Sequence, residues 1–304
     1  MFSEISVFAP AKVNLFLEIT GKRPDGYHNL ATLFAKLAIG DDIKIAAQEA
    51  ASPLIEVKVK GPFGKNLACD KTNLVYKAAD AFLKHFGIKA HCFIKLEKNI
   101  PMGAGLGGGS SDAAAVLTGL CSLFGIELNA KRMKDLVKIA ASLGADVPFF
   151  LYEDTFFKGE GIGDKLTPVK NNITSPYIIV AFPGEPSPTK DAYARLTLND
   201  NGKILTNLSS LNKLICGVET GSPLEEWGIL AYNKLEDCVL PYMKSVAELK
   251  EEMKRFGAGT VLMSGSGSCV FCLVQDKNTA EGIVRKISAD NRTVFLTHFW
   301  RTKI

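Results

Sequence analysis

Five of the seven residues from Gly103 to Gly109 are glycine, Ser110 and Ser111 follow, and an alanine-rich apolar run begins at once, in the stretch PMGAGLGGGSSDAAAVL. Glycine tolerates positive φ and lets a ligand approach the main chain, so successive N–H groups can be turned into one concavity. A helix starting directly after such a loop adds the positive end of its dipole. Both features favour an anion, and phosphate is the chemistry they suit. The Walker pattern is absent, because Gly109 is followed by two serines with no lysine between. The dinucleotide pattern G-x-G-x-x-G does occur at Gly103, Gly105 and Gly108. That design needs a second strand ending in an acidic residue, and only Ile126 to Leu128 separate the helix from the next helix cap. A dinucleotide-dependent oxidoreductase would require the loop to lie at a topological switch point. The plain alternative, a tight strand-to-helix connection, would cost conformational entropy without return.

The elements that must position this loop can be read from periodicity. Residues 7 to 19 alternate, with Val7, Ala9, Ala11, Val13, Leu15, Leu17 and Ile19 on one side and Lys12, Asn14, Phe16 and Glu18 on the other. A strand with this period places Lys12 and Asn14 on one face. Pro24-Asp25-Gly26 marks a turn, and extended runs follow near residues 30–37, 43–45 and 55–59. Leu74, Val75, Ala78, Ala79, Phe82, Leu83 and Phe86 have helical spacing closed by Gly87. A strand from Cys92 to Leu96 leads into the loop, a helix from about Ser111 to Phe124 leaves it, and a further helix capped by Asn129 runs to Gly144. Residues 145–152 read as loop turning into strand, and residues 165–176 as a connector and candidate boundary. Beyond it the spacing predicts strands at Tyr177 to Phe182, Thr260 to Met263, Cys269 to Val274 and Thr293 to Thr297, with several helices. Each half is α+β.

Composition narrows the class. A hydrophobic content of 47%, a charged content of 22% and no apolar run near the roughly 18 residues needed to span a bilayer exclude a helical membrane protein. The start, MFSEISVFAPAKVNL, has neither a signal-peptide nor a transit-peptide pattern, so the cytoplasm is the expected location. The net charge of +4 comes with no Lys/Arg cluster, which argues against a nucleic-acid partner. The seven cysteines are odd in number and scattered, as expected of reduced thiols. Cys269 and Cys272 form C-x-x-C, but without a second pair at zinc spacing or a nearby His, so no protein-held metal site is expected.

Pro101, Gly105-Leu106-Gly107, Ser110-Ser111 and Ala113-Ala114 resemble the signature P-x-x-x-G-L-G-S-S-A-A of the GHMP small-molecule kinases. Two further blocks stand in the family's order: APAKVNLFLEITGKRPDGYHNLATLF near the start and MSGSGSCVF near the end. The extra Gly108-Gly109 and Asp112, with PDGYH, resemble the branch whose substrate carries cytidine. The resemblance implies a two-domain α+β fold, with an N-terminal domain like domain 2 of ribosomal protein S5 over 1–168 and a ferredoxin-like domain over 169–304. It implies an ATP-dependent kinase acting on the 2-hydroxyl of a small molecule, a diphosphocytidyl methylerythritol, in non-mevalonate isoprenoid synthesis. A mevalonate or homoserine type is the rival within the family.

Phosphoryl transfer to an alcohol needs positioning, charge neutralisation and a group to take the hydroxyl proton. Asp146, between a helix end and Val147-Pro148-Phe149-Phe150, is the candidate base. By resemblance its partner is Lys12. ATP is assigned to Pro101, Met102, Gly103, Ala104, Gly105, Leu106, Gly107, Gly108, Gly109, Ser110 and Ser111, and its adenine to Asn73, Leu74 and Lys98. The resemblance gives the cytidine to Tyr27, His28 and Tyr193, with Asn14 also on the substrate side. Mg²⁺ is expected to enter with ATP, since no carboxylate cage is evident, although Asp112 could contribute or serve only the helix dipole. A monomer or weak homodimer is expected.

Overall fold

The computed structural model describes residues 2–288 and 291–301. The chain forms two compact units, one of Met1–Ala11, Gly40–Met102 and Gly107–Glu153, the other of Lys12–Ile39, Gly103–Leu106 and Asp154–Ile304. Two long strands, β1 (Ser3–Lys22) and β2 (His28–Glu49), contribute residues to both. The extended runs expected separately at 30–37 and 43–45 are therefore one strand. Gly40, in the gap between them, is where β2 passes close to β1: a Cβ there would lie 2.2 Å from the Ala9 carbonyl oxygen.

The first unit adds β3 (Leu54–Lys60), α1 (Leu74–Phe86), β4 (Ala90–Glu97), α2 (Gly108–Leu123) and α3 (Ala130–Leu143). β4 runs antiparallel to the Asp42–Glu49 end of β2 and parallel to β3. Helix α1 buries Val75, Ala78, Ala79, Phe82 and Leu83, a stripe set by its 3.6-residue period. The Asn73 side chain caps it by accepting from Val75 N, and Gly87 ends it at φ 65°. Helix α2 is built from small residues because it lies hard against the sheet, where a Cβ on Gly119 would stand 2.7 Å from Ile45 Cδ1. It starts at Gly108, three residues before the expected Ser111, since Gly108 and Gly109 already take helical geometry. Residues 148–151 form a turn of 3₁₀ helix where a strand was expected. Pro148 cannot donate to a ladder, and all four side chains from Pro148 to Leu151 are buried, which gives no alternation.

The second unit continues with β5 (Phe156–Glu160), β6 (Lys165–Val169), β7 (Tyr177–Phe182), α4 (Thr189–Ala194), α5 (Asn201–Thr220) and α6 (Leu224–Trp227). It closes with β8 (Tyr232–Asn233), α7 (Glu236–Val239), α8 (Lys244–Arg255), β9 (Thr260–Met263), β10 (Val270–Val274), α9 (Lys277–Ile287) and β11 (Thr293–Thr297). The expected connector at 165–176 opens instead with β6, the return arm of a hairpin with β5 whose turn uses Gly161 and Gly163 at positive φ. β5 pairs with Thr32–Ala35 of β2, and β8 pairs parallel with Phe16 and Leu17 of β1. A separate antiparallel sheet has the order β11-β7-β10-β9. Its inner face, with Ile179, Ala181, Val270 and Cys272, packs on Val246, Leu249 and Met253 of α8 and Ala280, Ile283 and Ile287 of α9. Each valine, leucine, isoleucine or methionine among them contributes about 1.5–3 kcal/mol by leaving water. Burial pushes the Cys269 thiol up and that of Cys272 up to about 12, so the C-x-x-C pair is core packing.

Candidate active site

The glycine loop is anchored by its carbonyls. In the second unit Gly103 O accepts from Ser187 N at 2.9 Å, Ala104 O from Cys269 N at 3.1 Å and Leu106 O from Lys12 N at 2.9 Å. Gly105 O accepts from Ser264 Oγ at 2.9 Å. A trans peptide sets its C=O and N–H in opposite directions. Each of the four pinned carbonyls therefore turns the N–H of the following residue, Ala104, Gly105, Leu106 or Gly107, away from that carbonyl's partner. Gly105 must be glycine twice over, for its φ is +77° and a Cβ would come within 1.9 Å of Ser264 O. In the first unit Gly107 caps α2 with φ 68°, so the positive end of a 16-residue helix follows directly. Ser110 is half-buried, and the buried Ser111 Oγ and Asp112 Oδ1 have no hydrogen-bond partner among the described residues.

Under the start of α2 lies a charged cluster that sequence reading missed. Lys98 Nζ pairs with Asp41 Oδ2 and, at 3.0 Å, with Asp112 Oδ2, all three side chains being out of solvent. A Cβ on Gly108 would stand 2.8 Å from that ammonium. Asp41 Oδ1 also accepts from Asn99 N and Ile100 N. Burial holds the Asp112 carboxyl up at about 8, with Lys98 opposing and Asp41 reinforcing the shift. The Lys98 ammonium is thus occupied at the start of α2. Asn73, the other polar residue assigned to adenine, uses Oδ1 for the α1 cap and Nδ2 on Ala68 O at 2.6 Å. Leu74 is half-buried beside it. Asp146, also in the first unit, is half-buried in the turn between α3 and the 3₁₀ segment.

The second unit holds two separate pairs, Lys12 with Asn14 and His28 with Tyr193. Lys12 is 4% exposed and its Nζ donates to Asn14 Oδ1 at 2.7 Å, with the Phe34 ring 5.6 Å away. Asn14 Nδ2 donates to Thr32 Oγ1 at 2.8 Å. Gly265 closes against this pair, since a Cβ there would sit 3.3 Å from Lys12 Nζ and 3.4 Å from Asn14 Oδ1. Asn233 holds that loop in place by donating to Met263 O at 2.7 Å and Gly265 O at 2.8 Å. The rings of His28 and Tyr193 meet with centroids 5.3 Å apart, and Tyr27 stands 61% exposed next to His28 in the chain. Burial, with Lys22 adding to it, lowers the His28 pKa, which keeps the imidazole neutral and able to both donate and accept. Among the described residues no group of three or more His, Cys, Asp or Glu could hold a metal ion, and no helix is long and apolar enough to cross a membrane.

Two family descriptions match: "GHMP kinases N terminal domain" over residues 73–154 and "GHMP kinases C terminal" over 219–292. The chain is 38% identical over 285 residues to a 4-diphosphocytidyl-2-C-methyl-D-erythritol kinase of Geobacter sp. (strain M21), covering 93% of this chain and 94% of that one. A kinase of the same name from Methylacidiphilum infernorum (isolate V4) is 41% identical over 271 residues, covering 88% and 86%. Among solved structures, a 4-(cytidine 5'-diphospho)-2C-methyl-D-erythritol kinase superposes with TM-score 0.75 at 30% identity, over 98% of this chain and all of that one. The homoserine kinase of Cytophaga hutchinsonii superposes with TM-score 0.77 at 20% identity, over 97% and 94%, which speaks to fold alone.

Proposed function

The chain belongs to the GHMP kinase family, and from that premise we propose that it transfers the γ-phosphoryl group of ATP to the 2-hydroxyl of 4-diphosphocytidyl-2-C-methyl-D-erythritol. The observation that carries this choice of substrate is the contact of the His28 and Tyr193 rings, with the exposed Tyr27 beside His28 in the chain, in the unit that holds Lys12. A flat base stacks on such rings, and a neutral imidazole meets the mixed donor and acceptor edge of cytosine. Mevalonate and homoserine have no base to place there.

In this reading the amides of Ala104 through Gly107 and the α2 terminus bind the triphosphate, as a nest of N–H groups binds an anion. Asp146 takes the proton of the attacking hydroxyl, and the Lys12 ammonium stabilises the charge that develops. Mg²⁺, when bound with ATP, neutralises charge on the phosphate oxygens. Its hard-oxygen preference fits Ser110 and the orphaned Ser111 Oγ, which would hold it, whereas the buried Asp112 is held protonated beside Lys98. Leu74 is the side chain beside the adenine, with Lys98 and Asn73 holding the backbone around it. We place the family's two domains at 1–168 and 169–304, and the protein in the cytoplasm as a monomer or weak homodimer.

Coupled ADP release tests the assignment. It should be rapid with the diphosphocytidyl substrate and at background with mevalonate or homoserine at equal concentration. Turnover of either of those at a comparable kcat/KM would refute the choice of substrate.

A further inference from the structure

An asparagine amide has two nearly isosteric ends, one an acceptor and one a double donor. Lys12 needs the oxygen end of Asn14, because an ammonium only donates. Nothing in Asn14 itself selects that orientation. Lys12 selects it from one side, and Thr32, which is fully buried in β2, fixes it from the other. Its hydroxyl donates to Phe16 O at 2.5 Å, and a carbonyl can only accept. With its single proton committed there, Thr32 Oγ1 presents lone pairs to Asn14, so the NH₂ end must turn toward it at 2.8 Å. Asn14 Oδ1 is thereby left for Lys12 Nζ at 2.7 Å. The Thr32 rotamer is fixed in turn. Threonine is stiff at χ1, and its methyl faces Gly159 so closely that a Cβ there would lie 2.9 Å from Thr32 Cγ2.

We infer that Thr32 is a positioning residue for phosphoryl transfer, acting through the Asn14 amide to hold the Lys12 ammonium in register. The chain of donors runs one way, from Lys12 to Asn14 to Thr32 to the Phe16 carbonyl. A buried threonine that merely satisfies its own hydroxyl would stop at the carbonyl. Here the acceptor side is used as well, and it ends on the ammonium assigned to the reaction. The inference rests on the reading of Lys12 given above.

Thr32→Val keeps the shape and removes the hydroxyl. The expected result is a fall in kcat of about 10- to 100-fold, the range for a hydrogen bond to a charged group, with KM for both substrates within about twofold. Thr32→Ser restores most of the turnover. The decisive readout is a double-mutant cycle with Asn14→Asp. A carboxylate has an oxygen at both ends, so it needs no orienting, and it can take the Thr32 proton itself. In that background Thr32→Val costs kcat much less than in the parent. An equal loss in both backgrounds, or no loss in the parent, overturns the inference. Urea midpoints measured alongside identify a variant that does not fold. Should Thr32→Val be such a variant, Thr32→Ala against Thr32→Ser carries the comparison, with serine about tenfold faster or the inference fails. Lys12→Met separates the two levels: retained turnover there would remove the Lys12 assignment itself, whereas its loss together with a silent Thr32→Val would remove only the role of Thr32.

Discussion

The buried cluster of Asp41, Lys98 and Asp112 has two carboxyl groups for one ammonium, and burial resolves the imbalance by raising the pKa of Asp112 from 3.8 to about 8. The sign of the linked stability follows. Between about 4 and 8 the folded chain holds a proton on Asp112 that the unfolded chain has released, so stability falls as pH rises through that window. Asp112→Asn keeps an acceptor for Lys98 and cannot titrate. Urea midpoints at pH 5.5 and 8.5 should therefore shift in the variant's favour at the higher pH, and a gap that moves the other way would contradict the raised pKa. None of this cluster was legible in the sequence. Asp41 is far from Lys98 and Asp112 in the chain, and neither a lysine three residues before Pro101 nor an acid in a first helical turn announces a buried partner. Asn73, by contrast, sits one residue before an apolar helical stripe, and its capping bond to Val75 N at 2.9 Å follows from local chemistry.

The glycine loop shows which local signals suffice and which do not. Five glycines before an apolar run announced a tight loop with positive φ opening a helix, because both properties are encoded within a dozen residues. Which glycines are obligatory depended on distant contacts. Gly105 faces Ser264 O and has φ +77°, whereas Gly109 is helical with nothing within 4 Å of its Cβ position. Gly105→Ala should destabilise the fold by more than about 1 kcal/mol, and Gly109→Ala should stabilise it by about 0.4–1 kcal/mol. Urea denaturation of both variants checks this, and equal effects would mean that the loop is not anchored through its carbonyls. The same limit explains the fold errors. The spacing of α1 and α3 gave their bounds, while β1 and β2 are longer than their alternating cores because pairing extends them past the apolar stretch. Residues 148–151 misled because a short apolar run suits a strand and a buried turn equally.

Across the whole molecule, the three sequence blocks of the family lie in two compact units, and only the pairing of distant segments shows that Lys12, Asn14, Thr32, Gly105 and Gly265 belong to one neighbourhood. Cytidine recognition tests the substrate half of the account. Tyr193→Ala, which removes the ring against His28, should raise KM for the diphosphocytidyl substrate about 10-fold or more and change KM for ATP little, in line with the roughly 1–3 kcal/mol of a base–aromatic stack. Equal effects on both substrates would point to a structural role for the ring. The chemical half has its most direct test in Asp146→Asn, an isosteric change at a half-buried turn. Single-turnover formation of ADP with saturating diphosphocytidyl substrate should slow by about 10²–10⁴-fold while ATP and cytidine binding persist. A variant that forms ADP within a few-fold of the parent rate would contradict the assignment of Asp146 as the base.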